Sequence, residues 1–134
     1  MSTYTSDVAQ NLTPSALWPG DRAQVWNAEQ PAPGNGGASA SQRVAIGTQG
    51  GSPGGFSITG FFAAAPGAFE IDVQVSDVDV DAQYQTCANG NLTSVDATNN
   101  TFHFDGSGVL ATFVRLLMRS RTNAVNVTAD IRRL

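Results

Sequence analysis

Between Phe69 and Asp81 apolar and polar residues alternate strictly, and only a half-buried β-strand makes use of a period of two. Phe69, Ile71, Val73 and Val75 form the apolar set, which predicts that they face a core while Glu70, Asp72, Gln74 and Ser76 face water. The phase then slips by one residue. Val78 and Val80 become the apolar set, opposite Asp77, Asp79 and Asp81. A residue inserted into the alternation is what a β-bulge requires, or a strand that passes between two sheets. The stretch therefore predicts a β-sandwich, and it carries no reaction chemistry of its own.

Other segments repeat the message. Residues 43–46 and 56–62 and the stretch Thr101-Phe-His-Phe104 read as short strands, separated by Gly-rich loops and by turns at Pro66-Gly67 and Asn89-Gly-Asn91. Asp105-Gly-Ser-Gly108 reads as a tight turn. Residues 109–119 fit a helix or a strand. The strand reading points Leu110, Thr112, Val114, Leu116 and Met118 inward and Arg115, Arg119 and Arg121 outward. It also predicts a hairpin with residues 124–132, which would bring Arg115 or Arg119 near Asp130 or Asn126. Strand-like units at this spacing predict an all-β fold, an antiparallel β-sandwich of jelly-roll type.

Residues 1–41 differ in composition. Apolar residues are sparse there, prolines recur, and residues 31–41 form a Pro/Gly/Ala/Ser segment that predicts a flexible loop. The expected organisation is an extended N-terminal arm and loop over 1–41 and a sandwich domain over 42–134. Tyr4, Trp18 and Trp26 lie in the arm and need a surface to bury against, on this domain or on a neighbour.

Eleven acidic residues outweigh seven basic ones in the 134-residue chain, for a net charge of −4. All seven bases are arginines, and there is no lysine, which removes a Walker-type phosphate loop. The acidic balance disfavours nucleic acid as a partner. Arg115 and Arg119 belong to a C-terminal group of five arginines that reads either as a solvated strand face or as a contact surface for an acidic partner. No apolar run reaches the roughly 20 residues of a membrane-spanning helix. The start of the chain has no secretory pattern, and with a single cysteine, Cys87, the expectation is synthesis in a reducing cytoplasm.

Candidate chemistry is thin. His103, Asp105 and Ser107 suggest a triad, but residues two apart on a strand stand about 6.6 Å apart and share a face without touching. Asp77, Asp79 and Asp81 resemble the opening of a calcium loop, yet Ala82 and Ala88 stand where the glycine and the bidentate glutamate belong. They read instead as the wet side of a strand. The expectation is a protein without catalysis, cofactor or metal.

Two stretches, Phe102-His-Phe-Asp-Gly-Ser-Gly108 and Thr112-Phe-Val-Arg-Leu-Leu-Met-Arg-Ser-Arg-Thr-Asn-Ala-Val-Asn-Val-Thr-Ala129, together with the strand from Phe69 and the Gly/Ala/Pro-rich arm, resemble capsid decoration (cement) proteins of tailed bacteriophages. The resemblance covers about half the chain. It implies a homo-oligomer, dimer or trimer, that binds the major capsid protein on the outer surface of the virion and clamps the shell. Tyr4, Trp18, Trp26, Arg115 and Arg119 would then be the partner-binding residues. A carbohydrate- or receptor-binding module of a phage fibre or tail is the other reading, with the tryptophans and Asp77, Asp79 and Asp81 at its site.

Overall fold

The computed structural model describes residues 15–47 and 54–134. The described residues form nine strands: β1 (Ser15–Ala16), β2 (Arg22–Glu29), β3 (Val44–Ala45), β4 (Gly54–Phe62), β5 (Phe69–Ser76), β6 (Gln85–Leu92), β7 (Thr101–Ala111), β8 (Phe113–Arg121) and β9 (Val127–Arg133). One sheet has the order β2-β9-β4-β7 and the other β1-β3-β8-β5-β6. All neighbours are antiparallel except β1, which runs parallel to β3. Strands β2 to β9 in this order make an eight-stranded jelly roll, the architecture expected from the spacing of strands and turns.

Alternation places the core. Phe69, Ile71 and Val73 of β5, Val114, Leu116 and Met118 of β8, and Ile58 and Ile131 of the facing sheet all belong to one buried cluster. Phe62 packs against Phe69 and Phe102 at centroid distances of 4.9 and 5.8 Å. On the β4–β7 pair, Gly60 lies opposite Phe102 and Gly106 opposite Phe56. A Cβ on Gly106 would stand 2.7 Å from the Phe56 ring, and one on Gly60 2.3 Å from that of Phe102. Each phenylalanine thus fills the space its glycine leaves empty.

That packing corrects the reading of Asp105-Gly-Ser-Gly108 as a turn. Gly106 is there to receive the Phe56 ring, Gly108 faces open space, and β7 runs through both to Ala111. The chain instead changes sheets at Thr112, the single residue between β7 in one sheet and β8 in the other. The phase slip after Ser76 marks the end of β5. Consequently β8 and β9 form no hairpin: they lie in opposite sheets, β8 beside β3 and β5, β9 beside β2 and β4. Asn89-Gly-Asn91 is likewise no turn; it lies inside β6, where a register shift and a positive φ of 60° at Asn89 mark a bulge.

The N-terminal region also differs from expectation. Strand β2 is hydrogen-bonded along β9, so a boundary at residue 41 would cut through the sandwich. Residues 31–41 are held against β8: Gly34 N–H donates to Met118 O at 3.0 Å, Ser41 N–H to Leu116 O at 2.8 Å, and Ala40 bridges Leu117. A low-complexity composition had suggested a free linker, but small residues also let backbone approach backbone closely, and here they pair with an exposed strand edge.

Candidate functional site

The candidate partner-binding residues separate into buried and exposed groups. Tyr4 lies outside the described residues. Trp26 is only 1% exposed and belongs to the core cluster, because register shifts on either side of it in β2 turn both Val25 and Trp26 inward. It is an anchor of its own domain. Arg115 is also 1% exposed. Its Nε donates to Gln74 Oε1 at 2.9 Å and its Nη1 to Asp81 Oδ1 at 2.5 Å. Arg119 pairs with Asp72 and donates to Asn35 Oδ1 at 2.9 Å. Both arginines thus stand on the outer face of β8, as expected, with Arg115 covered and Arg119 39% exposed in its side chain; each is engaged by its own chain, and the expected proximity to Asp130 or Asn126 does not occur.

The same contacts correct the reading of the aspartates. On the outer face of β5, Asp72, Gln74 and Ser76 are buried: Arg119, Thr86 and Asn91 engage Asp72, Arg115 engages Gln74, and Ser76 bonds to Val78 of the β5–β6 connection. In that connection Asp79 receives two hydrogen bonds from buried Arg43, at 2.6 and 2.5 Å, and a third from Tyr84 Oη at 2.8 Å. Asp77 alone stays on the surface, accepting from Thr112 Oγ1 at 3.2 Å. With Asp79 and Asp81 each turned to a different arginine, the three carboxylates do not converge on one point. They are therefore not the expected wet side of a strand, and among the described residues they form no group that could hold a metal ion.

His103 is exposed between buried Phe102 and Phe104, as the alternation predicts. Asp105 accepts the Ser107 N–H at 2.9 Å, and that bond holds its carboxyl below the usual range. The contact closes a local loop of the backbone and joins no histidine.

What remains exposed and apolar is concentrated. Trp18, Phe61, Val78, Val80, Leu110 and Leu134 are the large hydrophobic residues open to solvent among the described residues. Trp18, Val78, Leu110 and Leu134 lie around one end of the sandwich, with Val78 and Leu110 sharing a cleft on the β7 side and Trp18 beside β2 at the opposite edge of the four-stranded sheet. That end holds the β1–β2 link, the β5–β6 connection, the last turn of β7 before Thr112, and the terminus of β9. Trp18 is 54% exposed even though its backbone is fixed. Its N–H donates to Asp21 Oδ2 at 3.2 Å, and its carbonyl accepts from Asp21 N–H at 2.9 Å. Beside it, Gly20 with φ of 91° closes the turn and donates to Arg133 O at 2.8 Å. The ring is thus presented outward by a rigid turn.

A cleft of about 290 Å³ opens at the same end, between the β5–β6 connection and β7. Val78 and Leu110 give it apolar walls, and Ser76, Asp77, Gln83 and Gln85 add polar groups. Trp18 was legible as a candidate from its position in a weakly apolar region. Leu110 and Val78 were not, because each sits in an alternating run that reads as core. For Val78 the signal was the phase slip, since it follows the end of β5; for Leu110, two residues before the sheet change, the sequence carried none.

No protein-family model matches the chain, and no curated protein matches it. Among solved structures, the crystal structure of SPBc2 prophage-derived protein YomS is similar over 86% of this chain and 96% of that one, with a TM-score of 0.46 and 15% sequence identity.

Proposed function

We propose that the protein is a non-catalytic structural protein of a phage virion, which binds the major capsid protein on the outer surface of the shell through the apolar end of its sandwich. The observation that supports this reading is the exposure of Trp18, Val78, Leu110 and Leu134 around one end of a rigid jelly roll. Apolar side chains scattered singly need no explanation, whereas Val78 and Leu110 side by side in one cleft, with a tryptophan held outward at the same end, have the composition of a binding hot spot. A fixed turn under Trp18 lowers the ordering cost of binding. Repetition on a symmetric shell then multiplies weak single contacts by avidity. Asp21 and Asp77 at the rim favour a partner with basic groups around an apolar centre.

The test is cosedimentation of the purified protein with emptied phage shells, with Trp18→Ala combined with Leu110→Ser as the variant. Both side chains are exposed, so the variant keeps its fold, which circular dichroism checks. Shell occupancy is expected to fall at least about tenfold, the equivalent of 1.4 kcal/mol. Occupancy equal to that of the unaltered protein would remove the apolar end from the interface. Light scattering of the free protein reports whether it enters as a dimer or trimer.

A further inference from the structure

The outer face of the β2-β9-β4-β7 sheet, on a different side of the molecule from the apolar end, carries a groove of about 360 Å³ lined by Arg22, Ser57, Thr59, His103, Asp130 and Arg132. The registers build it from rows. Arg22 lies opposite Arg132, and Arg132 opposite Ser57. In the next row Asp130 lies opposite Thr59, and Thr59 opposite His103. A third row places Phe61, 46% exposed, between Thr128 and Thr101. Rows two residues apart stand about 6.6 Å from one another, so from Ser57 to Phe61 the platform runs about 13 Å.

Two features of this face point to a ligand. Arg22 and Arg132 stand directly across an antiparallel pair, an arrangement in which like charges repel. One carboxylate serves them: Asp130 is 3.6 Å from Arg22. Arg132 has no ion-pair partner among the described residues. Asp105 ends the same row on β7, but it accepts from Ser107 N–H. The backbone of the face is spent on the ladders, so only side chains are available for recognition. Hydroxyls at Ser57 and Thr59, an imidazole, a carboxylate and an aromatic face are the groups that bind a polyol ring, and two arginines are those that bind a carboxylate.

We propose that this groove binds an acidic oligosaccharide. Its carboxylate sits between Arg132 and Arg22, its hydroxyls engage Thr59, His103 and Asp130, and a neighbouring sugar ring lies against Phe61. A peptide strand would bind at a sheet edge through main-chain bonds, which this face does not present.

Titration calorimetry on the full chain tests this, with a tetrasaccharide of alternating glucuronate and N-acetylglucosamine as the acidic probe and a tetramer of N-acetylglucosamine as the neutral one. Saturable binding of the acidic probe, at about 1 mM or tighter, is expected, with at least about tenfold weaker binding of the neutral probe. Arg132→Gln is expected to remove that preference, and Phe61→Ser to weaken the acidic probe by a similar factor. Both positions are solvent-facing, so an unchanged melting temperature confirms that binding alone was altered. Absence of binding of the acidic probe, equal binding of both probes, or an unaltered preference in Arg132→Gln overturns the assignment. Shell binding through Trp18 and Leu110 is read separately, so either proposal can fail while the other stands.

Discussion

The guanidinium of Arg115 lies 4.1 Å from the centroid of the Tyr84 ring. That stacking joins a buried arginine on β8 to the start of β6 across the β5–β6 connection. Within the same connection Asp81 accepts a hydrogen bond from Arg115 Nη1, and Asp79 accepts from Arg43 and from Tyr84 Oη. A loop of eight residues, 77–84, is thereby folded back over a sheet face by charge. Such groups are costly to bury and safe only when every member is satisfied, so the network specifies one loop conformation.

Asp79→Asn is expected to destabilise the fold by about 3 kcal/mol, since it leaves Arg43 buried beside a neutral amide. Arg43 is 2% exposed in its side chain and Asp79 18%, so water compensates little. Asp77→Asn, which alters one exposed hydrogen bond, is expected to cost under about 0.5 kcal/mol. Urea denaturation midpoints compare the two. Equal costs would show that the arginine pairing does not fix the loop.

The sequence made the sandwich legible because its core strands are written in period two: β4, β5 and β9 fell where alternation put them. The outer face of β5 was not legible. Asp72 and Gln74 carry the polarity of a wet face, and nothing local reveals that Arg119 and Arg115, more than forty residues later, would cover and neutralise them. Trp26 was misplaced for a related reason. A bulge buries two consecutive residues, Val25 and Trp26, and so erases the alternation that would have marked β2 as core. Trp18 was singled out by the same reasoning as Trp26, and only the structure separates them, leaving Trp18 exposed and Trp26 in the core.

Glycine spacing in β7 gives a second test. Gly106→Ala would drive a methyl into the Phe56 ring, and overpacking of this kind costs about 1–3 kcal/mol. Gly108→Ala meets nothing within 4 Å, and in an extended strand it should be neutral or slightly stabilising. Thermal denaturation of the two variants is expected to separate them by several degrees. A tight turn at 105–108 would instead make both substitutions similar.

Amide hydrogen exchange examines the segment 31–41. Gly34 and Ser41 donate to Met118 and Leu116 carbonyls, so their amides are expected to be protected well above the rate of a free linker. Exchange at the unstructured-peptide rate would return the segment to the flexible loop that its composition suggests.

The two tryptophans should differ in fluorescence. Iodide is expected to quench Trp18 and leave Trp26 largely untouched, so Trp18→Phe should leave a blue-shifted, poorly quenched emission. Deleting residues 1–30 removes β2 and Trp26 together, and the truncated chain is expected to lose its cooperative unfolding transition. A folded truncation would mean that β9 can stand as an edge strand without its neighbour.

Cys87 offers a chemical probe of β6. Desolvation pushes its thiol up to about 11, with a backbone hydrogen bond opposing part of that rise. The thiolate is the reactive form, so a rise of 2 from the ordinary value of 9 lowers the reactive fraction at pH 8 by about a hundredfold. Iodoacetamide labelling of the native protein is expected to be slow at pH 8 and to accelerate only as pH approaches 11, while the urea-unfolded chain labels at the rate of a free thiol. Because the folded state disfavours the thiolate, the sign of the linkage is fixed: this contribution to stability is intact below pH 9 and is lost as pH rises through 11. Native labelling as fast as unfolded labelling at pH 8 would place Cys87 in water and detach β6 from the partly buried position it holds beside the core.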